Sequence, residues 1–264
     1  MWPGGSSDSN DIAPLTTHFS LFVTRAMIEI LATGQGWLAV NKPSGLSVHS
    51  SSYTGPCTTT LVDQLRQQLG VARVHAVHRL DHATSGVLLL ALDPRTAAYF
   101  TEQFATRRVE KRYLAVVRGH TAAEFVVDAP LSGRDGRAPK DARTAFATLG
   151  TLTVPIALGR YPEARYSLVA ARPDTGRHHQ IRRHLKHIAH PIVGDVKYGK
   201  GDHNRLFRGH FGIHRLLLHA TELRFFDTDS QWLTVTAPLD SPMTKARTLF
   251  DHPGIDAVTG APTS

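Results

Sequence analysis

Six apolar residues in a row, Val87-Leu88-Leu89-Leu90-Ala91-Leu92, follow directly on a polar turn, His78-Arg79-Leu80-Asp81-His82-Ala83-Thr84-Ser85-Gly86. A short unbroken apolar run bounded by turn residues reads as a strand buried on both faces, which commits the chain to a sheet with a deep interior. Asp81 sits at the lip of that strand. Aspartate is depleted from strands and is almost never fully buried unpaired, so Asp81 requires either water or a cationic partner. Cations are on offer in a second segment, Asp174-Thr175-Gly176-Arg177-His178-His179-Gln180-Ile181-Arg182-Arg183-His184. Together the two segments suggest one acid held by an arginine.

The partner of such a site follows from charge. Thirty basic residues face 22 acidic ones, a formal +8 with 16 further histidines, and this surplus favours a polyanion, most commonly nucleic acid. A merely soluble basic protein is the plain alternative. No lipidation motif or amphipathic anchor favours a membrane surface. Cys57 is the sole cysteine, so a disulfide framework and a thiolate zinc site are both excluded within one chain. Residues 1–20 lack the continuous apolar stretch of a secretory signal, and no run approaches the roughly 20 residues of a membrane span. A cytoplasmic protein is expected.

Local patterns outline one domain. Residues 1–25, rich in Gly, Ser, Asp, Asn and Thr, read as a disordered lead-in; 26–250 as a single domain; and 251–264 as a flexible tail. Met27–Leu31 and Trp37–Val40 around Gly34-Gln35-Gly36 predict a hairpin, and Leu46–His49 alternates as a strand. Leu61, Leu65 and Leu69 predict a helix stopped by Gly70. Asp93-Pro94 reads as N-cap and first position of another helix, ending near Val109. Strands are expected at 75–78, 86–92, 113–117, 144–158, 165–171, 216–225 and 231–236, with an exposed basic loop at 132–143. A helix from about Thr175 to Ala189 carries Ile181, Leu185 and Ile188 on one stripe and His179, Arg182, Arg183 and Lys186 to the other side.

That basic stripe could be a solvated face. No carboxylate follows Asp174 within the helix, however, and aligned cations without counterions suit phosphates. His178, His179, His184, His187 and His190 invite a metal reading, but no HExxH pattern supports it. No G-x-S-x-G elbow, Walker loop or G-x-G-x-x-G fingerprint occurs. A glycosidase would need two carboxylates about 5 to 10 Å apart. Asp81 is a clear candidate, whereas Asp174 and Asp195 are weak ones, Asp174 being better explained as a residue favouring the helix dipole.

Four segments in order carry a resemblance: Asn41-Lys42-Pro43-Ser44-Gly45-Leu46-Ser47-Val48-His49; His78-Arg79-Leu80-Asp81 with Thr84-Ser85-Gly86; Lys111-Arg112-Tyr113-Leu114-Ala115; and Gly176–His184 with Pro191-Ile192-Val193-Gly194-Asp195. From about residue 27 to 240 the chain resembles the RluA-type pseudouridine synthases. The resemblance implies an α+β fold, a large bent mixed and mostly antiparallel sheet flanked by helices and loops, with a central active-site cleft. It implies Asp81 as the catalytic aspartate, Tyr113 as the tyrosine that packs on the target base, and Arg182 as the arginine paired with Asp81. Ile181 lies beside that arginine, and Arg79 matches a residue that can fill the gap left by a flipped nucleotide. Lys42, Arg177, Arg183 and Lys186 are further RNA-contact candidates.

No cofactor, metal or obligate protein partner is implied, and a monomer is expected. The run from Gly159 through Ala220 is similar to the tRNA pseudouridine synthase C branch, which acts on uridine 65 in the T-stem; ribosomal RNA of the large subunit is the alternative substrate. A non-catalytic RNA-binding protein and a nucleoside hydrolase are the readings from other classes.

Overall fold

The computed structural model describes residues 1, 27–50, 59–133 and 138–251. The expected lead-in (apart from Met1), the tail beyond Asp251, Cys57 and residues 134–137 of the basic loop lie outside the described residues.

The apolar run is the heart of the sheet. Strand β4 (Ser85–Ala91) is buried at every position. Its one edge is covered by β2 (Trp37–Lys42), antiparallel, which itself pairs with β1 (Glu29–Gly34) through the expected glycine turn. Its other edge is shared by two partners. The two-residue β3 (His75–Ala76) covers the end, and β9 (Leu218–Phe226) meets the start in parallel, Ser85 opposite His219 and Gly86 opposite Ala220. Gly86 is required there: its φ is +111°, and a Cβ would collide with the Ala220 carbonyl.

The sheet continues through β5 (Glu110–Arg118), β8 (Ala164–Pro173), β7 (Arg143–Val154) and the edge strand β6 (Glu124–Asp128), while β10 (Trp232–Thr236) extends from β9. Among the described strands only the β4–β9 pair runs parallel. The fold is α+β, as the resemblance implied. Helix α2 (Pro94–Ala105) starts at the Asp93 cap read from sequence, Asp93 accepting from the Thr96 amide, and α1 (Leu61–Leu69) stops at the expected Gly70; its start is a Thr60–Asp63 reciprocal capping box that the sequence reading did not mark. One apolar core lies on the β2–β4 side with α1 and α2. A second lies on the β5–β8 side with α3 (Gln180–His187), α4 (Gly201–Phe211) and α5 (Ser241–Thr248). Tyr113 packs against both cores, which places it at their junction.

Several expectations are corrected. Leu46–His49 is not a strand, because the Leu46 carbonyl is taken by the Lys42 ammonium and the Ser47 and Val48 carbonyls receive the first amides of α1. Helix α2 ends at Ala105, and β5 begins at Glu110. Helix α3 starts at Gln180 rather than Thr175, so Asp174 is no first-turn residue; it pairs with Arg143 at 2.5 Å. Helix α4 was not legible because two glycines interrupt its pattern, although Leu206, Phe207 and Phe211 are buried. Strand β6 and helix α5 were also not read from sequence: one is a five-residue edge strand, the other a short helix just before the expected tail.

Candidate active site

A cleft of about 550 Å³ opens where the two cores meet. Three segments and Leu218 of β9 line it: the turn 78–84 before β4, the end of α2 with its connection to Tyr113 in β5, and the 173–182 segment leading into α3. Sheet pairing thus gathers residues from all over the chain around the carboxylate that the apolar run first singled out.

Asp81 keeps its side chain 18% exposed, at the floor of an opening rather than in a sealed interior. Its Oδ2 accepts from Arg182 Nη1 at 2.9 Å. Arg182, the third residue beyond the cap of α3, is buried and spans two acids: Nε and Nη2 donate to Asp195 Oδ2 and Oδ1 at 2.7 and 2.9 Å. Asp195 in turn accepts from the Lys197 and Tyr198 amides. Burial pushes the Asp195 carboxyl up, but the Arg182 and amide hydrogen bonds outweigh it and hold it below the usual range. Burial likewise pulls Arg182 down, and its bonds to Asp195 and Asp81 reverse the sign and hold it charged. One cation is thus shared between two carboxylates, the inner one buried and the outer one open to the cleft.

Tyr113 reaches the cleft from β5 at a β-bulge, where the register against β9 shifts between Arg112 and Tyr113. Bulges re-aim side chains next to sites. Burial raises the phenol's pKa, with Asp81 adding to the effect, so Tyr113 stays an O–H over neutral pH. Ile181 is buried and lines the cleft with Leu218. Arg79 is exposed on the rim, and Arg177 lines the wall with Nε donating to the Asp141 carbonyl. Arg183 donates to the Ser132 carbonyl, and Lys186 is exposed in the last turn of α3; neither lines the cleft.

Lys42 is corrected outright. It is fully buried, and Nζ donates to the Pro43, Leu46 and His82 carbonyls at 2.7, 2.8 and 3.2 Å, so it has no path to an RNA phosphate. It pins the loop carrying Asp81 from behind. Burial, reinforced by Arg215 and opposed by Asp81, lowers its pKa to about 7. The reading of 179–186 as one phosphate-facing stripe also fails in part, because Arg182 turns inward to its carboxylates.

Sequence reasoning underrated Asp195 and did not separate His179 from the other cations. It passed over Arg107, which lines the cleft just after α2 with φ at +60°. The Arg-Asp pairing of 182 with 195 had no local signal, since neither residue marks the other by helical spacing. Among the described residues no group of three or more His, Cys, Asp or Glu is placed to hold a metal, and no helix is long and apolar enough to cross a membrane. His184 is instead buried between Thr144 Oγ1 and the Ala129 carbonyl.

The chain is 41% identical over 240 residues to the tRNA pseudouridine synthase C of Pectobacterium carotovorum subsp. carotovorum, covering 87% of this chain and 64% of that protein. It is 40% identical over 235 residues to the protein of the same name from Pasteurella multocida, covering 85% and 96%. The solved structure of human RNA pseudouridylate synthase domain containing 4 superposes with a TM-score of 0.66 at 26% identity, over 84% of this chain and 93% of that one. The family model described as RNA pseudouridylate synthase matches residues 36–187, from the β1–β2 turn through the whole of α3, and the chain therefore belongs to the RNA pseudouridylate synthase family.

Proposed function

We propose that this protein isomerises uridine to pseudouridine in tRNA, at uridine 65 of the T-stem, as a cytoplasmic monomer that needs neither metal nor cofactor. The observation that carries the reading is Asp81, partly open to the cleft and held by an arginine whose own charge is balanced by a second, buried carboxylate. Support for tRNA as the substrate comes from relatives of about 40% identity named for it.

The chemistry asks little beyond this constellation. The N1–C1′ bond breaks, C5–C1′ forms, C5 loses a proton and N1 gains one, with no net redox change. An ionised Asp81 either attacks C1′ or removes the C2′ proton, and both routes need the carboxylate unprotonated and fixed in direction. Arg182 supplies the fixing. Tyr113 offers a flat face to the extruded base and a phenol beside C5. A base in a helical stem must first leave its stack, at a cost of a few kcal/mol. Stacking on Tyr113 and phosphate contacts from the rim arginines Arg79 and Arg177 offset that cost.

The test is tritium release from C5-labelled tRNA transcript, combined with mapping of pseudouridine in the product. Asp81→Asn should abolish release while RNA affinity stays within about twofold. Turnover by that variant would sink the assignment of Asp81. Modification of large-subunit rRNA with none in tRNA would sink the substrate.

A further inference from the structure

His179 takes no part in the reaction as described, yet its geometry is unusual. At the cap of α3 its backbone lies at φ 54° and ψ 31°, with no side-chain capping bond. This left-handed region is unfavourable for a residue with a Cβ, and residues held in it cluster at sites of function. The ring is held on two sides. His178 stacks on it at 3.6 Å, and Nδ1 lies 3.0 Å from the Tyr198 hydroxyl. Nε2 is 3.7 Å from Asp81 Oδ1, the oxygen that Arg182 does not take.

We propose that Tyr198 and His179 form a positioning pair for Asp81, in which the phenol donates to Nδ1 and the imidazole proton therefore sits on Nε2, aimed at Asp81 Oδ1. The opposite tautomer would set a ring lone pair against a carboxylate oxygen, two acceptors with no proton between them. Burial drives the His179 pKa down to about 4; Arg182, His178 and Lys197 add to this, and Asp81 opposes it. The ring is a neutral donor at working pH, so it orients the carboxylate without cancelling its charge. Arg182 and His179 thereby hold the two oxygens of Asp81 separately. The present separation exceeds a hydrogen bond, and catalytic contacts of substrate-free sites commonly tighten in the complex. Tyr198 is itself placed by the same turn that fixes Arg182, because its amide donates to Asp195.

The proposal rests on Asp81 as the reacting carboxylate. It is tested with full-length protein and unmodified tRNA transcript, measuring kcat, KM and thermal midpoint. Asparagine places its amide near the position of Nδ1 and tolerates the left-handed backbone, whereas glutamine places its amide N–H near Nε2. His179→Asn should therefore hold or raise the thermal midpoint while kcat falls about tenfold at unchanged KM. His179→Gln should melt earlier yet stay within about threefold of wild-type kcat. Tyr198→Phe, which removes one hydroxyl, should lower kcat roughly three- to tenfold, the range of one hydrogen bond, and keeps the test alive if a His179 variant fails to fold. A purely structural role predicts the reverse order, with activity following stability. Wild-type kcat in both His179→Asn and Tyr198→Phe overturns the pair, provided Asp81→Asn is inert in the same assay. Turnover by Asp81→Asn instead overturns the reading beneath it.

Discussion

Asp195 takes Arg182 in a two-point fork, with Nε at 2.7 Å and Nη2 at 2.9 Å, and thereby leaves Nη1 free to meet Asp81. The planar guanidinium converts the position of one carboxylate into the orientation of the other. Asp195 is completely buried, so this fork is rigid on its inner side and solvent-facing only at Asp81.

Removing the inner carboxylate should therefore cost both stability and rate. Asp195→Ala leaves a buried guanidinium without its main partner, a loss of about 3 to 5 kcal/mol by analogy with broken buried pairs. Asp195→Asn keeps the volume and one acceptor, so it should fold, with kcat down tenfold or more and RNA KM within about twofold. Steady-state kinetics beside a thermal melt reads both. An unchanged kcat in a folded Asp195→Asn would show that Arg182 needs no anchor.

Lys42 separates a phosphate contact from a buried brace. Its Nζ bonds three carbonyls around the Asp81 loop. Lys42→Met strands those acceptors and should destabilise the protein by about 2 to 4 kcal/mol. The salt dependence of RNA binding should not change, because no phosphate contact is lost. A reduced salt slope with unchanged stability would return Lys42 to the RNA interface.

Arg79 and Arg177 should behave in the opposite way. Both line the cleft. Replacing either with alanine should lower the slope of log K against log salt by about one, with little change in melting. Lys186, outside the cleft in the last turn of α3, should change the slope less. Filter binding across a salt series makes the comparison.

Acid should unfold the protein through its neutral histidines. Burial pushes His78 down to about 3 and His179 and His203 to about 4, against 6.5 for a free imidazole. Between pH 6.5 and 4 the unfolded chain binds protons that the folded one refuses, so stability rises with pH across that window and is lost on acidification. His78 accepts from the Leu89 amide and stacks on Phe104, which requires its neutral form. Thermal midpoints from pH 7 to 4 should fall steadily, and His78→Asn should flatten the acid side. A flat midpoint in wild type would refute the linkage.

Much of the frame was legible because its causes are local. The run from Val87 to Leu92 specified a buried strand without reference to any partner, and Gly70 and Asp93-Pro94 marked helix ends by their own cap chemistry. The resemblance implied Asp81, Tyr113 and Arg182, and the structure sets all three on one cleft. Helical spacing alone, without the resemblance, does not say which basic residues point inward. Arg182 and Arg183 are adjacent in the same helix, yet one lies between two carboxylates and the other bonds the Ser132 carbonyl.

By itself the sequence determined the local elements, the basic character and, through its motifs, the family. Only the tertiary structure decided where Lys42, Asp195 and His179 sit and what they touch. Asp81 and Arg182 are 101 positions apart and meet because β4, β9, β5 and β8 lie side by side and carry their loops to one end. Periodicity and capping act over a few residues, whereas burial, ion pairing and the direction of a proton depend on neighbours that only the assembled sheet supplies.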